Sequence, residues 1–154
     1  MTGTPRKHKI LAVASGGGHW VQLLRLKPLF TDCATTFVTV NRAYRSEVRN
    51  YRFYVISDAT RWNKIGLLVV FAQLALILLK ERPDVVISTG AAPGYIALRL
   101  GRIFGAKTIW IDSIANVEQL SLSGQWARAT ADLWLTQWPH LAKPNGPHFV
   151  GTLL

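Results

Sequence analysis

The most chemically suggestive stretch of the chain is Ser15-Gly16-Gly17-Gly18-His19, set directly after the apolar run Ile10-Leu11-Ala12-Val13-Ala14 and before a helix-like segment. A strand that turns through glycines into a helix leaves backbone N–H groups unobstructed at the positive end of the helix dipole. That is the chemistry of a phosphate or diphosphate cradle. His19 adds a titratable group of the type that accepts a proton near neutral pH. The spacing matches neither the G-x-G-x-x-G of dinucleotide sites nor a phosphate loop closing on Lys-Ser/Thr, so the pattern leaves the ligand open. A glycine triplet also serves a plain tight turn.

Two further polar turns follow apolar runs. In Ser88-Thr89-Gly90-Ala91-Ala92-Pro93-Gly94-Tyr95, Thr89 offers a hydroxyl and Gly90 gives a ligand backbone room. Asp112-Ser113 ends another run with a carboxylate and a hydroxyl, although Asp112 also suits the cap of whatever follows it. The elements that must position these residues alternate. Strands are expected near 8–14, 34–40, 51–56, 83–88, 106–112 and 131–136, with a short piece near 148–150; helical patterns fall near 19–29, 62–80, 94–104 and 124–130. This alternation predicts an α/β fold: a Rossmann-like open, mostly parallel sheet with helices on both faces. Val85-Val86-Ile87 and Thr108-Ile109-Trp110-Ile111 read as central strands covered on both sides. In a Rossmann order the turns after the first and fourth strands face each other at the topological switch point, and the fifth ends on the same edge.

At 154 residues the chain suits one domain, spanning 1–154. Its net charge of +10 is uneven: residues 1–64 hold 11 of the 18 Lys and Arg against the acids Asp32, Glu47 and Asp58 alone. Such an excess calls for a polyanion, whether nucleic acid, an anionic membrane surface or a diphosphate substrate. No recognised nucleic-acid motif accompanies it, so no nucleic acid partner is expected. Cys33 stands alone and no Cys/His spacing marks a zinc site; a reducing compartment, no metal and no cofactor are the expectations. The segment from Met1 to Lys7 has basic residues but no apolar region of its own, so no signal peptide is read there.

Ile65 to Leu79 runs 15 residues without a charge. As a helix it is about 22 Å long, short of the ~30 Å hydrocarbon core, so a full span is not expected. Arg61, Trp62 and Lys64 precede it and Lys80 and Arg82 follow. Cations and a Trp at the ends of an apolar helix fit a bilayer interface, and a buried crossover helix is the alternative. Arg42, Arg45, Arg49 and Arg52 extend the basic run and favour the membrane surface, each worth about 1 kcal/mol beside anionic lipid.

Taken in order, Ser15-Gly16-Gly17-Gly18-His19, Ser88-Thr89-Gly90-Ala91-Ala92-Pro93-Gly94, Asp112-Ser113, Leu120-Ser121-Leu122-Ser123-Gly124, Ala131-Asp132-Leu133, Gln137-Trp138-Pro139 and Val150-Gly151-Thr152-Leu153-Leu154 resemble the asparagine-linked glycosylation protein fourteen family and its bacterial exopolysaccharide-synthesis members. The resemblance covers nearly the whole chain. It implies the N-terminal, acceptor-binding half of a GT-B glycosyltransferase, with the nucleotide-sugar-binding half on a separate chain. By the same resemblance Ser15, Gly16, Gly17, Gly18, Thr89, Gly90 and Ser113 would bind a lipid-linked diphosphate sugar acceptor, with His19 or Asp112 as the catalytic base. Set against the eukaryotic pattern, the chain is expected to lack a separate N-terminal anchor, and Asp112 stands where glutamate is commoner. The helix and arginines would then attach it peripherally to the cytoplasmic face of the plasma membrane. A non-catalytic adaptor for a glycosyltransferase, or an NADP-binding Rossmann enzyme using Arg42, are the rival readings.

Overall fold

A computed structural model describes residues 6–60 and 62–153. The segment from Met1 to Pro5, on which the reading of no signal peptide rests, lies outside the described residues, as do Arg61 of the basic run and Leu154. Seven parallel strands form one sheet: β1 (Lys9–Val13), β2 (Ala34–Thr39), β3 (Arg52–Val55), β4 (Val85–Ser88), β5 (Lys107–Ile111), β6 (Leu133–Thr136) and β7 (His148–Phe149). Their order is β3-β2-β1-β4-β5-β6-β7, with the chain reversing its direction of travel between β1 and β4.

Successive β1 side chains enter opposite cores, as a period of two requires. Leu11 and Val13 pack with Val70, Leu74, Leu98 and Trp110 on one face of the sheet. Ala12 and Ala14 pack with Trp20, Leu23, Phe37 and Ile111 on the other. The first face is covered by α2 (Lys64–Glu81), α3 (Ala91–Ile103) and α4 (Leu122–Ala127), the second by α1 (Gly18–Leu24) and short 3₁₀ segments.

Each expected element is present, with shifted ends. The helix expected over 19–29 stops at Leu24, and Pro28 falls in a separate 3₁₀ turn, Lys27–Phe30, because it cannot donate to a continuing helix. The helix expected from 94 begins at Ala91 instead, with Pro93 tolerated in its first turn. Asn63 caps α2 by accepting from the Gly66 amide at 2.9 Å; Arg82, in the left-handed region at φ 46°, ends it ahead of Pro83.

The apolar segment Ile65–Leu79 is core on one face of α2 and exposed on the other. Val70, Leu74, Ile77 and Leu78 are core, whereas Ile65, Leu68 and Leu76 are 79%, 68% and 67% exposed. Among the described residues no helix is long and apolar enough to cross a membrane.

Candidate functional site

The crevice opens beyond the carboxyl ends of β1, β4 and β5. Beyond β1, the backbone is tied down on one side: Ser15 O accepts from Val40 N at 3.4 Å and from the Thr39 hydroxyl, and the Gly17 amide donates to Tyr44 Oη at 3.0 Å. Tyr44 is itself stacked on Trp20, with centroids 4.9 Å apart. One amide of the glycine turn is therefore already engaged. Gly17 sits at φ 56°, ψ −132°, a conformation that side chains oppose.

The turns after β1 and β4 are locked to each other through a reciprocal pair. Thr89 Oγ1 donates to His19 O at 2.6 Å, and His19 Nδ1 lies 3.0 Å from Thr89 O. A carbonyl can only accept, so Nδ1 carries a proton; in the neutral imidazole Nε2 then holds the free lone pair. Nε2 has no hydrogen-bond partner among the described residues. Gly90 lies against the same ring: a Cβ there would sit 2.5 Å from His19 Cε1, at φ 139°. Ala91, at φ 67°, carries the strain of the same turn.

At the end of β5, Asp112 is 1% exposed and both its carboxylate oxygens are engaged. Oδ1 accepts from Trp110 Nε1 at 3.1 Å and Ser121 Oγ at 2.6 Å; Oδ2 accepts from Asn116 Nδ2 at 2.9 Å and Ser121 N at 3.0 Å. Gly124 lets α4 close over it, since a Cβ there would lie 2.8 Å from Asp112 Cγ. Ser113 Oγ accepts from Gln22 Nε2 at 3.0 Å, and Gln22 Oε1 accepts from Gln137 Nε2 at 2.5 Å. Gln137 in turn accepts from Leu153 N at 2.7 Å, and Arg25 donates to Leu153 O at 2.8 Å. The C-terminal segment is thus fastened to the crevice floor within the chain itself.

Three of the expected residues, Ser15, His19 and Ser113, line an open crevice of about 450 Å³ together with Asp58, Thr60, Asn116, Ser121, Ser123 and Trp126. Thr89, Gly90 and Asp112 are buried behind that wall, and Gly16, Gly17 and Gly18 form its lip outside the lining. Tyr44, Gln22, Gln137, Asn116, Ser121 and Trp126 were not foreseen as site residues. The Leu-Ser-Leu-Ser-Gly run was the one signal pointing to Ser121.

A second hollow of about 510 Å³, lined by Lys7, Lys9, Thr35, Arg52 and Glu81, lies at the amino ends of the strands. Open α/β sheets bind ligands at the carboxyl ends; here Arg52, Tyr54 and Glu81 serve one another, whereas the buried Thr35 Oγ1 has no hydrogen-bond partner among the described residues. Arg52 Nη1 and Tyr54 Oη donate to the buried Glu81 carboxylate at 2.7 and 2.6 Å. Burial pushes that carboxyl up, but the hydrogen bonds from Tyr54 and Arg52 and the charges of Arg52 and Lys80 outweigh it and hold it below its ordinary value. The Lys9 amide lowers Asp84 and the Thr108 amide lowers Asp132 in the same way, all away from the crevice. Two arginines of the basic run have partners within the chain: Arg52 pairs with Glu81 while staying largely exposed, and Arg45 donates to the carbonyls of Val48 and Tyr51 at 3.2 and 2.7 Å.

The fold, a Rossmann-like parallel α/β sheet, is similar to part of solved glycosyltransferases. Acinetobacter baumannii MurG superposes with a TM-score of 0.73 at 15% identity over 96% of this chain, which spans 46% of that protein. In sequence, the chain is 25% identical to the UDP-N-acetylglucosamine transferase subunit ALG14 of Mus musculus, covering 90% of the chain and 79% of the relative. It is 29% identical to the human subunit of the same name, covering 92% and 81%. The family model described as "Oligosaccharide biosynthesis protein Alg14 like" matches residues 57–153, which is well over half of the sequence. The chain therefore belongs to the Alg14-like family of oligosaccharide biosynthesis proteins.

Proposed function

We propose that this protein is the acceptor-holding subunit of a two-chain inverting glycosyltransferase, in which a lipid-linked diphosphate sugar occupies the crevice and a separate chain supplies the nucleotide sugar. The observation that carries the reading is the His19–Thr89 lock. It fixes an imidazole at the rim of the crevice with its proton-accepting nitrogen unengaged. The acceptor hydroxyl oxygen attacks the anomeric carbon as the bond from that carbon to the nucleotide diphosphate breaks. The leaving diphosphate takes the electron pair, and the hydroxyl proton passes to His19 Nε2. The free amides at the lip, Gly18 and His19 at the start of α1, would face the acceptor diphosphate.

What supports His19 over Asp112 as base is burial and saturation: four donors already converge on Asp112, which fits a residue that holds β5 and α4 in place. The partner chain would close the crevice from outside, because one domain supplies one wall of a GT-B cleft. Attachment to the cytoplasmic face of a bilayer would use the exposed stripe Ile65, Leu68, Leu76 and Leu79, with Lys64, Lys80 and Arg82 at its ends. The test is calorimetric titration with citronellyl diphosphate, a short soluble polyprenyl diphosphate analogue. Binding that inorganic phosphate competes off, and that Gly17→Val weakens, is expected. No binding by the wild-type chain would overturn the acceptor reading.

A further inference from the structure

We infer that Trp126 is the platform on which the acceptor's sugar ring stacks, so that the crevice joins a saccharide subsite to the diphosphate lip; this rests on the acceptor-holding reading above. Trp20, Trp110, Trp134 and Trp138 each donate their indole N–H inside the protein, to Glu47, Asp112, Gly124 and Ile114 respectively. Trp126 donates to none of the described residues and is 50% exposed. Its indole is a wall shared by the crevice and by a shallower hollow that Tyr95, Gln125 and Arg128 also line. The Tyr95 ring braces it at 5.7 Å between centroids and a 52° tilt. A large aromatic braced by a neighbouring ring, with half its surface open and its N–H given to none of the described residues, can receive a ligand.

The rest of the crevice specifies which ligand. A pyranose has a face of C–H groups, whose slight positive charge suits the negative face of an indole, and a rim of hydroxyls that need donors and acceptors. Ser123, Thr60 and Asp58 line the same crevice and supply that rim, with the Asn116 amide oxygen beside them; Ser121 and the Asn116 N–H are already given to Asp112. The remaining lining, Ala59, Ala91, Ala92, Pro93, Ala115 and Leu122, is apolar and suits the C–H faces of the same sugar. The exposed aliphatic stripe of α2, outside the crevice, suits the polyprenyl tail.

The experiment compares bare citronellyl diphosphate with citronellyl diphosphates bearing one N-acetylglucosamine, glucose or galactose, titrated calorimetrically into wild type, Trp126→Ala and Trp126→Phe. The best sugar-bearing ligand is expected to bind wild type roughly tenfold tighter than the bare one. Trp126→Ala should bind both alike at the bare ligand's affinity, and Trp126→Phe should recover most of the difference. The bare ligand is the internal check on folding. Equal wild-type affinity for all ligands, or an unchanged sugar preference in Trp126→Ala, overturns the platform and leaves the diphosphate reading standing. So does a Trp126→Ala variant that loses only docking of the donor chain, which would make the indole a protein contact. Failure of the bare ligand to bind wild type overturns the acceptor reading itself.

Discussion

His19 derives its standing from its neighbours. The Thr89 carbonyl fixes its tautomer, and Gly90 gives its ring space. Gly90→Ala should therefore lower the turnover of the assembled enzyme by about 10²–10⁴, the range of a lost general base, because the new methyl displaces the imidazole. Acceptor affinity should change little. A Gly90→Ala enzyme of normal turnover would show that His19 needs no fixed place. For Asp112 the expectation concerns stability. Asp112→Asn puts an amide donor where four donors already meet, and should cost about 1–3 kcal/mol in urea unfolding. Unchanged stability with lost turnover would restore Asp112 as the base. The glycines and His19 were legible because a strand-to-helix turn is written in consecutive residues. Tyr44 was not: its hydroxyl meets Gly17 across 27 positions of sequence, a pairing that only the fold creates.

At the scale of elements, the strands were legible because continuous apolar runs admit few other structures in a sheet covered on both faces. The split of α2 into a core face and an exposed apolar face was not, since both faces read as hydrophobic. The exposed face is expected to bind vesicles containing anionic lipid in a salt-sensitive manner. Leu68→Glu combined with Leu76→Glu should abolish that binding while leaving the circular dichroism spectrum intact. Collapse of the spectrum would mean that this face is core. Arg45 and Arg52, paired with carbonyls and with Glu81, leave fewer unpaired cations for lipid than the sequence promises.

For the whole molecule, the carboxylates Glu81, Asp84 and Asp132 tie the amino ends of the strands together, and each is held below its ordinary value in the folded chain. The unfolded chain consequently binds more protons near pH ~4. Stability from these groups is complete above their ordinary range and is lost as the pH falls through the lower folded values. The melting temperature should drop between pH 5 and pH 3, and Glu81→Gln should flatten part of that drop. A melting temperature that stays level over the interval would contradict the sign. The C-terminal segment is held at Leu153 by Gln137 and Arg25 within the chain itself. A docking partner would meet a preformed edge, which lowers the ordering cost of association.

The most direct test of the two-chain account is sugar transfer from a radiolabelled nucleotide sugar to a polyprenyl diphosphate sugar acceptor, measured for this chain alone, its co-purified donor-binding chain alone, and the two mixed. The account predicts product from the mixture only, and a loss of about 10²–10⁴ in rate when the mixture contains His19→Ala in place of the wild-type chain. Transfer by this chain alone, or an undiminished rate with His19→Ala, would contradict it.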